Sequence, residues 1–128
     1  MFVAVLLPSV ASAEFRHIDD WTKWEKAEFA TYTALTYIDY RQTTWAVKQT
    51  YPDGRHVFNE ANPLLGERPE DVEVTLLLLL GIGTYYYLIG SSHKDPISSV
   101  SARSIMMTAR VAIILHNDNI GVRFNKVW

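Results

Sequence analysis

The sequence predicts an all-α protein, a small bundle of about three long helices inserted in a membrane. Two observations carry that expectation. Apolar residues make up 48% of the chain and gather into a few blocks, separated by charged connections bearing Pro and Asn. Polar residues are planted inside or beside those blocks, where burying them is costly unless they find partners.

Length and charge narrow the field. The chain has 128 residues, which suits one domain with one modest core. Its formal net charge of −2 argues against a nucleic-acid partner held by phosphate contacts. It has no cysteine. That excludes a disulfide framework, a thiolate nucleophile and cysteine metal ligands.

The first block, residues 1–13, reads as a signal-like apolar segment. Pro8 interrupts it, and Ala11-Ser12-Ala13 has the small-residue pattern of a cleavage site ahead of Glu14. At about a dozen residues it is too short to span a bilayer. No Lys or Arg precedes Arg16, and a buried N-terminal segment of the mature protein is the competing reading. Residues 14–128 are expected to form a single helical domain.

The first helix is expected from Trp21 to Thr50, because no Gly or Pro occurs until Pro52. Asp19 or Asp20 would cap it, with Trp21, Trp24 and Glu25 on one side. The two tryptophans with Lys23 and Lys26 read either as an interfacial belt or as an ordinary amphipathic helix start. Further along, Thr31, Leu35, Ile38 and Gln42 share one face, with Asp39 beside them. Residues 51–70 form the main loop, with a turn at Pro52-Asp53-Gly54 and an extended or turn conformation at Asn62 ahead of Pro63.

Pro69, Glu70 and Asp71 open the second helix in a favourable order, with Pro early and acids in the first turn. The run VEVTLLLLLGIGTYYYLIG follows, with Glu73 its only charge. It has about the length needed to cross a bilayer, and Gly81 and Gly83 would let a neighbour approach closely. The competing reading is a fully buried central helix of a soluble bundle. SSHKDP is a turn, and a third helix follows from Ile97 to Asn117. Arg103, Arg110 and Asn117 recur every seven residues and line one stripe. The arginines are natural partners for Asp39, Glu73 or Glu60.

Three motifs occur in order: D-x-x-Q-T at Asp39, Gln42 and Thr43, E-x-N-P-x-x-G from Glu60 to Gly66, and H-N-x-x-I-G from His116 to Gly121. Together they resemble small, mostly uncharacterised helical envelope proteins encoded by bacteriophages and proteobacteria. The resemblance covers roughly residues 21–124. It implies a polar cluster linking the first helix, the first loop and the end of the third helix. No catalytic role comes with it.

Asp39, Glu60 and His116 are the residue types that proton transfer or metal binding requires. Their spacing is not that of a metal motif, and no metal site or cofactor is expected. A hydrolase would need a nucleophile, and Ser101, Ser104 and Thr43 all lack a nucleophile elbow. Gly81-x-Gly83 is not a phosphate loop. The sequence therefore favours a fastening role for Asp39, Gln42, Thr43, Glu60, Asn62, Arg103, Arg110, His116 and Asn117. A buried Asp39–Arg110 pair would mainly set register.

The expected protein is a non-enzymatic accessory or interaction protein of the bacterial cell envelope, at the inner membrane or in the periplasm. Lysis, superinfection exclusion and assembly of a larger complex all fit. Membrane lipid and a protein partner or second copy are its expected partners. One competing reading is a small membrane-embedded hydrolase, in which Asp39, Glu60 and His116 converge beside a cavity. Another is a soluble helical subunit whose leucine run is covered by other protein.

Overall fold

The computed structural model describes residues 15–55 and 71–122. They form three packed helices: α1, Lys23–Ala46; α2, Asp71–Gly90; and α3, Pro96–Asn119. A single 3-10 turn, Ile18–Asp20, precedes α1. The signal-like segment, Glu60, Asn62, most of the first loop, Pro69, Glu70 and the C-terminal tail lie outside the described residues.

Local chemistry sets the helix ends. Thr22, not Asp19 or Asp20, caps α1. Its hydroxyl accepts from the Glu25 amide at 3.1 Å, and the Glu25 carboxylate accepts from the Thr22 amide at 2.9 Å. This is the reciprocal capping box that the spacing T-x-x-E encodes. Both aspartates belong to the preceding 3-10 turn. α1 stops at Ala46, four residues before the expected end. There Gln49 Nε2 donates to the Trp45 carbonyl at 3.1 Å, satisfying one of the terminal acceptors. α3 begins on Asp95, with Pro96 in the first turn. It ends at Asn119, and Gly121 two residues on has a φ of +104°, the positive-φ conformation that closes a helix.

The topology is up-down-up. Tyr32 of α1 stacks on Tyr85 of α2 with ring centroids 4.2 Å apart, while the earlier Trp21 meets the later Tyr86 at 4.7 Å. α1 and α2 are therefore antiparallel. Contacts from α1 to α3 ascend together instead, from Glu28–Arg103 to Gln42–Asn117, so those helices are parallel. The aromatic core of Trp21, Tyr32, Tyr85 and Ile89, with Phe29, Tyr86 and Met106 against it, sits at the end where α1 begins.

Trp21 and Trp24 part company: Trp21 is buried and Trp24 is 74% exposed. The two glycines of α2 also differ. A Cβ on Gly81 would lie 3.3 Å from Tyr32 Oη and 3.6 Å from Arg110 Nη2, whereas nothing lies within 4 Å of one on Gly83. Only the first admits a neighbour.

The exterior is unusual for a small bundle. Leu76, Leu79, Leu80 and Tyr87 of α2 point outward, as do Ile97, Val100, Ile105 and Leu115 of α3. Val72–Gly90 and Pro96–Asn119 are long and apolar enough to cross a membrane, yet only 22% and 17% of their apolar stretches are buried inside the protein. Among the described residues, α2 is thus not a fully buried central helix.

Candidate functional site

The interior between α1 and α3 is polar, and heptad spacing builds it. Arg103, Arg110 and Asn117 project from one stripe of α3, all buried. Glu28, Tyr32, Leu35, Asp39 and Gln42 of α1 alternate by four and three residues, so they form the facing stripe. Parallel packing brings the stripes together layer by layer.

In the layer nearest the start of α1, Arg103 Nη1 donates to both Glu28 carboxylate oxygens at 2.8 and 2.7 Å. Arg103 Nε donates to Ser99 Oγ at 3.2 Å, and Ser99 Oγ donates to the Leu88 carbonyl at 2.7 Å. Tyr85 Oη donates to Glu28 Oε2. All three helices meet in this one network.

In the middle layer Arg110 Nη1 donates to Asp39 Oδ2, and Arg110 Nη2 donates to Tyr32 Oη at 3.2 Å. The guanidinium also lies over the Tyr32 ring, 5.5 Å from its centroid. Thr43 Oγ1 donates to Asp39 Oδ1 at 3.1 Å. Two buried groups near this pair, Arg110 Nε and Thr36 Oγ1, have no hydrogen-bond partner. In the last layer Asn117 Nδ2 donates to Gln42 Oε1 at 3.1 Å. Gln42 Nε2 reaches the Ile114 and Val122 carbonyls at 3.3 and 3.2 Å. The fully buried Gln42 thereby ties α1 to the end of α3 and the residue beyond it.

A charged clamp lies outside these layers. The Arg16 guanidinium bonds both Glu25 oxygens at 3.0 and 2.8 Å, Ser92 Oγ at 2.8 Å and the Ile89 carbonyl at 3.1 Å. The Glu25 hydrogen bonds hold the Arg16 guanidinium pKa above its ordinary value, against a smaller opposing effect of burial. Phe15 and Arg16 press on Gly90, where a Cβ would collide with the Phe15 ring and approach the Arg16 carbonyl to 2.8 Å.

Of the sequence-derived candidates, Asp39, Gln42, Thr43, Arg103, Arg110 and Asn117 lie in these layers. His116 does not: it is exposed on the outer side of α3. One residue before Asn117, it is rotated about 100° away from the stripe. Glu73 is also exposed, and the partners of the two arginines are Asp39 and Glu28. Asp39 and His116 therefore do not converge. Glu28, Tyr32 and Tyr85 were missed by sequence reasoning. Extending the seven-residue stripe of α3 to a matching stripe on α1 would have found Glu28, fourteen residues before Gln42.

This arrangement can hold helices in register. The Asp39 carboxylate is bonded to Arg110 and Thr43, which leaves it poorly placed to take a proton from a substrate. Thr43 donates to Asp39 instead of standing beside a histidine. Among the described residues, no group of three His, Asp or Glu side chains is placed to hold a metal ion.

Fold and site together define a three-helix bundle with a charged interior and an apolar exterior. No protein-family model, curated protein or solved structure matches the chain.

Proposed function

We propose that this protein is a membrane-inserted helical bundle with a non-enzymatic role, an accessory or interaction protein of the bacterial envelope. The observation that carries the reading is the reversed distribution of polarity. Arginine, aspartate and glutamine side chains are buried between α1 and α3, while leucines and isoleucines lie exposed along α2 and α3. In water, that arrangement exposes a large apolar surface, while the apolar core of Trp21, Tyr32, Tyr85 and Ile89 is small. In a bilayer it is favourable, because lipid covers the leucines and each charge inside has a partner. α3, at 24 residues, is about 36 Å long, enough for a hydrocarbon core of about 30 Å.

The bacterial setting, and the roles in lysis, superinfection exclusion or complex assembly, rest on the three-motif resemblance. An interaction role is favoured over hydrolysis because the internal acids are committed to arginines. The experiment is fractionation of the expressed full-length chain. The expected result is recovery with membranes after alkaline carbonate extraction, and release only by detergent. Recovery as a monodisperse soluble monomer would sink the membrane reading. Recovery in a detergent-free soluble complex would favour the second reading, in which other subunits cover the leucine faces.

A further inference from the structure

We propose that the groove beside Glu28 and Arg103 is a headgroup site for a phospholipid bearing a primary ammonium, the ethanolamine type. The inference rests on the membrane reading above. The groove has a volume of about 320 Å³. Glu28 and Arg103 form its charged side, Val100 and Met107 its apolar side, and Ser104 and Thr108 supply hydroxyls.

The two charges are not equally covered. The Arg103 side chain is 9% exposed and the Glu28 side chain 34%. A carboxylate offers about four acceptor positions. Arg103 takes two at Glu28 and Tyr85 takes a third. One acceptor position is left, and Glu28 lines the groove. Facing hydrocarbon, such a group is costly unless a donor meets it.

The hydroxyls point the same way. Thr84 and Ser91 on α2 and its following turn satisfy theirs on the carbonyls of Leu80 and Tyr87, both at 2.8 Å. Ser104 and Thr108, one turn apart on α3, make no such bond among the described residues and are exposed. They remain free to donate to phosphate or ester oxygens.

The site lies toward one end of the bundle. Glu28 lies five residues into α1 and Arg103 seven into α3, so the site is about 8–10 Å below that end of the bundle. Trp24 and Tyr87 are exposed at the same end, as an interfacial aromatic girdle would be. A primary ammonium brings positive charge and three N–H donors to Glu28. A trimethylated choline headgroup brings the charge without the donors, and a glycerol headgroup brings a net negative lipid. A second copy fits less well. Parallel two-fold pairing across the groove would set two half-exposed Glu28 carboxylates at one depth.

The test uses native mass spectrometry of the full chain in detergent micelles. It is titrated separately with ethanolamine, choline and glycerol phospholipids of identical acyl chains. Retention of the ethanolamine lipid about tenfold tighter than the choline lipid is expected. Glu28→Gln should abolish that preference. The double variant Ser104→Ala/Thr108→Ala keeps the ion pair and should weaken retention of the ethanolamine lipid about threefold or more, with helicity unchanged. Equal retention of the three lipids by an inserted chain overturns the site and leaves the membrane reading standing. So does a preference that survives Glu28→Gln, or a dimer that excludes lipid from the groove. Failure of the chain to enter vesicles of any composition overturns the membrane reading itself, and this site with it.

Discussion

At the scale of single residues, the Asp39–Arg110 pair shows what a buried charge does in this protein. Each partner loses its hydration on folding, and their attraction repays that cost only while both are present. The match is incomplete, since Arg110 Nε is buried without a partner. The expected value of the pair is register more than stability. Arg110→Met leaves Asp39 buried without its cation, and should cost about 3–5 kcal/mol. Asp39→Leu combined with Arg110→Met should restore most of that loss. Denaturant unfolding of the two single variants and the double variant, followed by circular dichroism, measures the coupling directly. Equal and additive losses would mean that the two side chains stabilise independently. The pairing was legible here without the structure: two residues of opposite charge, each inside an apolar run, have few other ways to be buried. His116 was the misreading at this scale. Its motif neighbour Asn117 joins the interior, but the step of one residue carries His116 to the outside.

At the scale of elements, helix existence followed from apolar blocks and helix ends from turn chemistry. The ends were read less well. Asp19 and Asp20 have the right chemistry for a cap, but Thr22 has the right partner, and only the pairing with Glu25 decides between them. Glu28 escaped notice for a related reason. It lies among Lys23, Glu25 and Lys26, where a charge reads as solvated, and only the packing of α1 on α3 sets it against Arg103. The start of α3 is simpler, and it carries a pH prediction. Hydrogen bonds from Ser98, the backbone amide first, hold the Asp95 carboxyl below its ordinary pKa. A carboxyl depressed on folding contributes stability that is present above its unfolded pKa. That contribution is lost as pH falls through the lower folded pKa. The cap should thus persist through the ordinary aspartate range and fail only below it. The Ser98 amide resonance, titrated downward in pH, should show a midpoint lower than that of Asp in an unstructured peptide. Asp95→Asn should remove the transition while keeping the helix start. A midpoint at or above the ordinary value would contradict the cap.

At the scale of the whole molecule, the polarity reversal could not be read from any one segment. A leucine run alone fits a bilayer span and a buried core helix equally. The arrangement of the helices adds what the run alone lacks: the polar stripes of α1 and α3 meet inside, and Leu76, Leu79 and Leu80 are left outside. The native chain has no cysteine, so single cysteines placed along α2 and α3 report their surroundings without background. In liposomes, cysteines at Leu76, Leu79, Leu80 and Ile105 should react with a membrane-permeant maleimide only after detergent is added. They should resist a charged maleimide throughout, until the bilayer is dissolved. A cysteine at His93, in the exposed turn between α2 and α3, should react with the charged reagent from one side of the vesicle. Cysteines at Leu78 and Ile89 are shielded by protein and should stay unreactive even in mild detergent. The ordering is diagnostic because two solvents are being distinguished. Lipid protects the outward leucines until detergent arrives, whereas packing protects the inward positions until the bundle unfolds. In a soluble assembly the outward positions would be released by subunit dissociation instead. Prompt reaction of the outward positions with the charged reagent would place α2 and α3 in water and remove the basis for reading this bundle as a membrane protein.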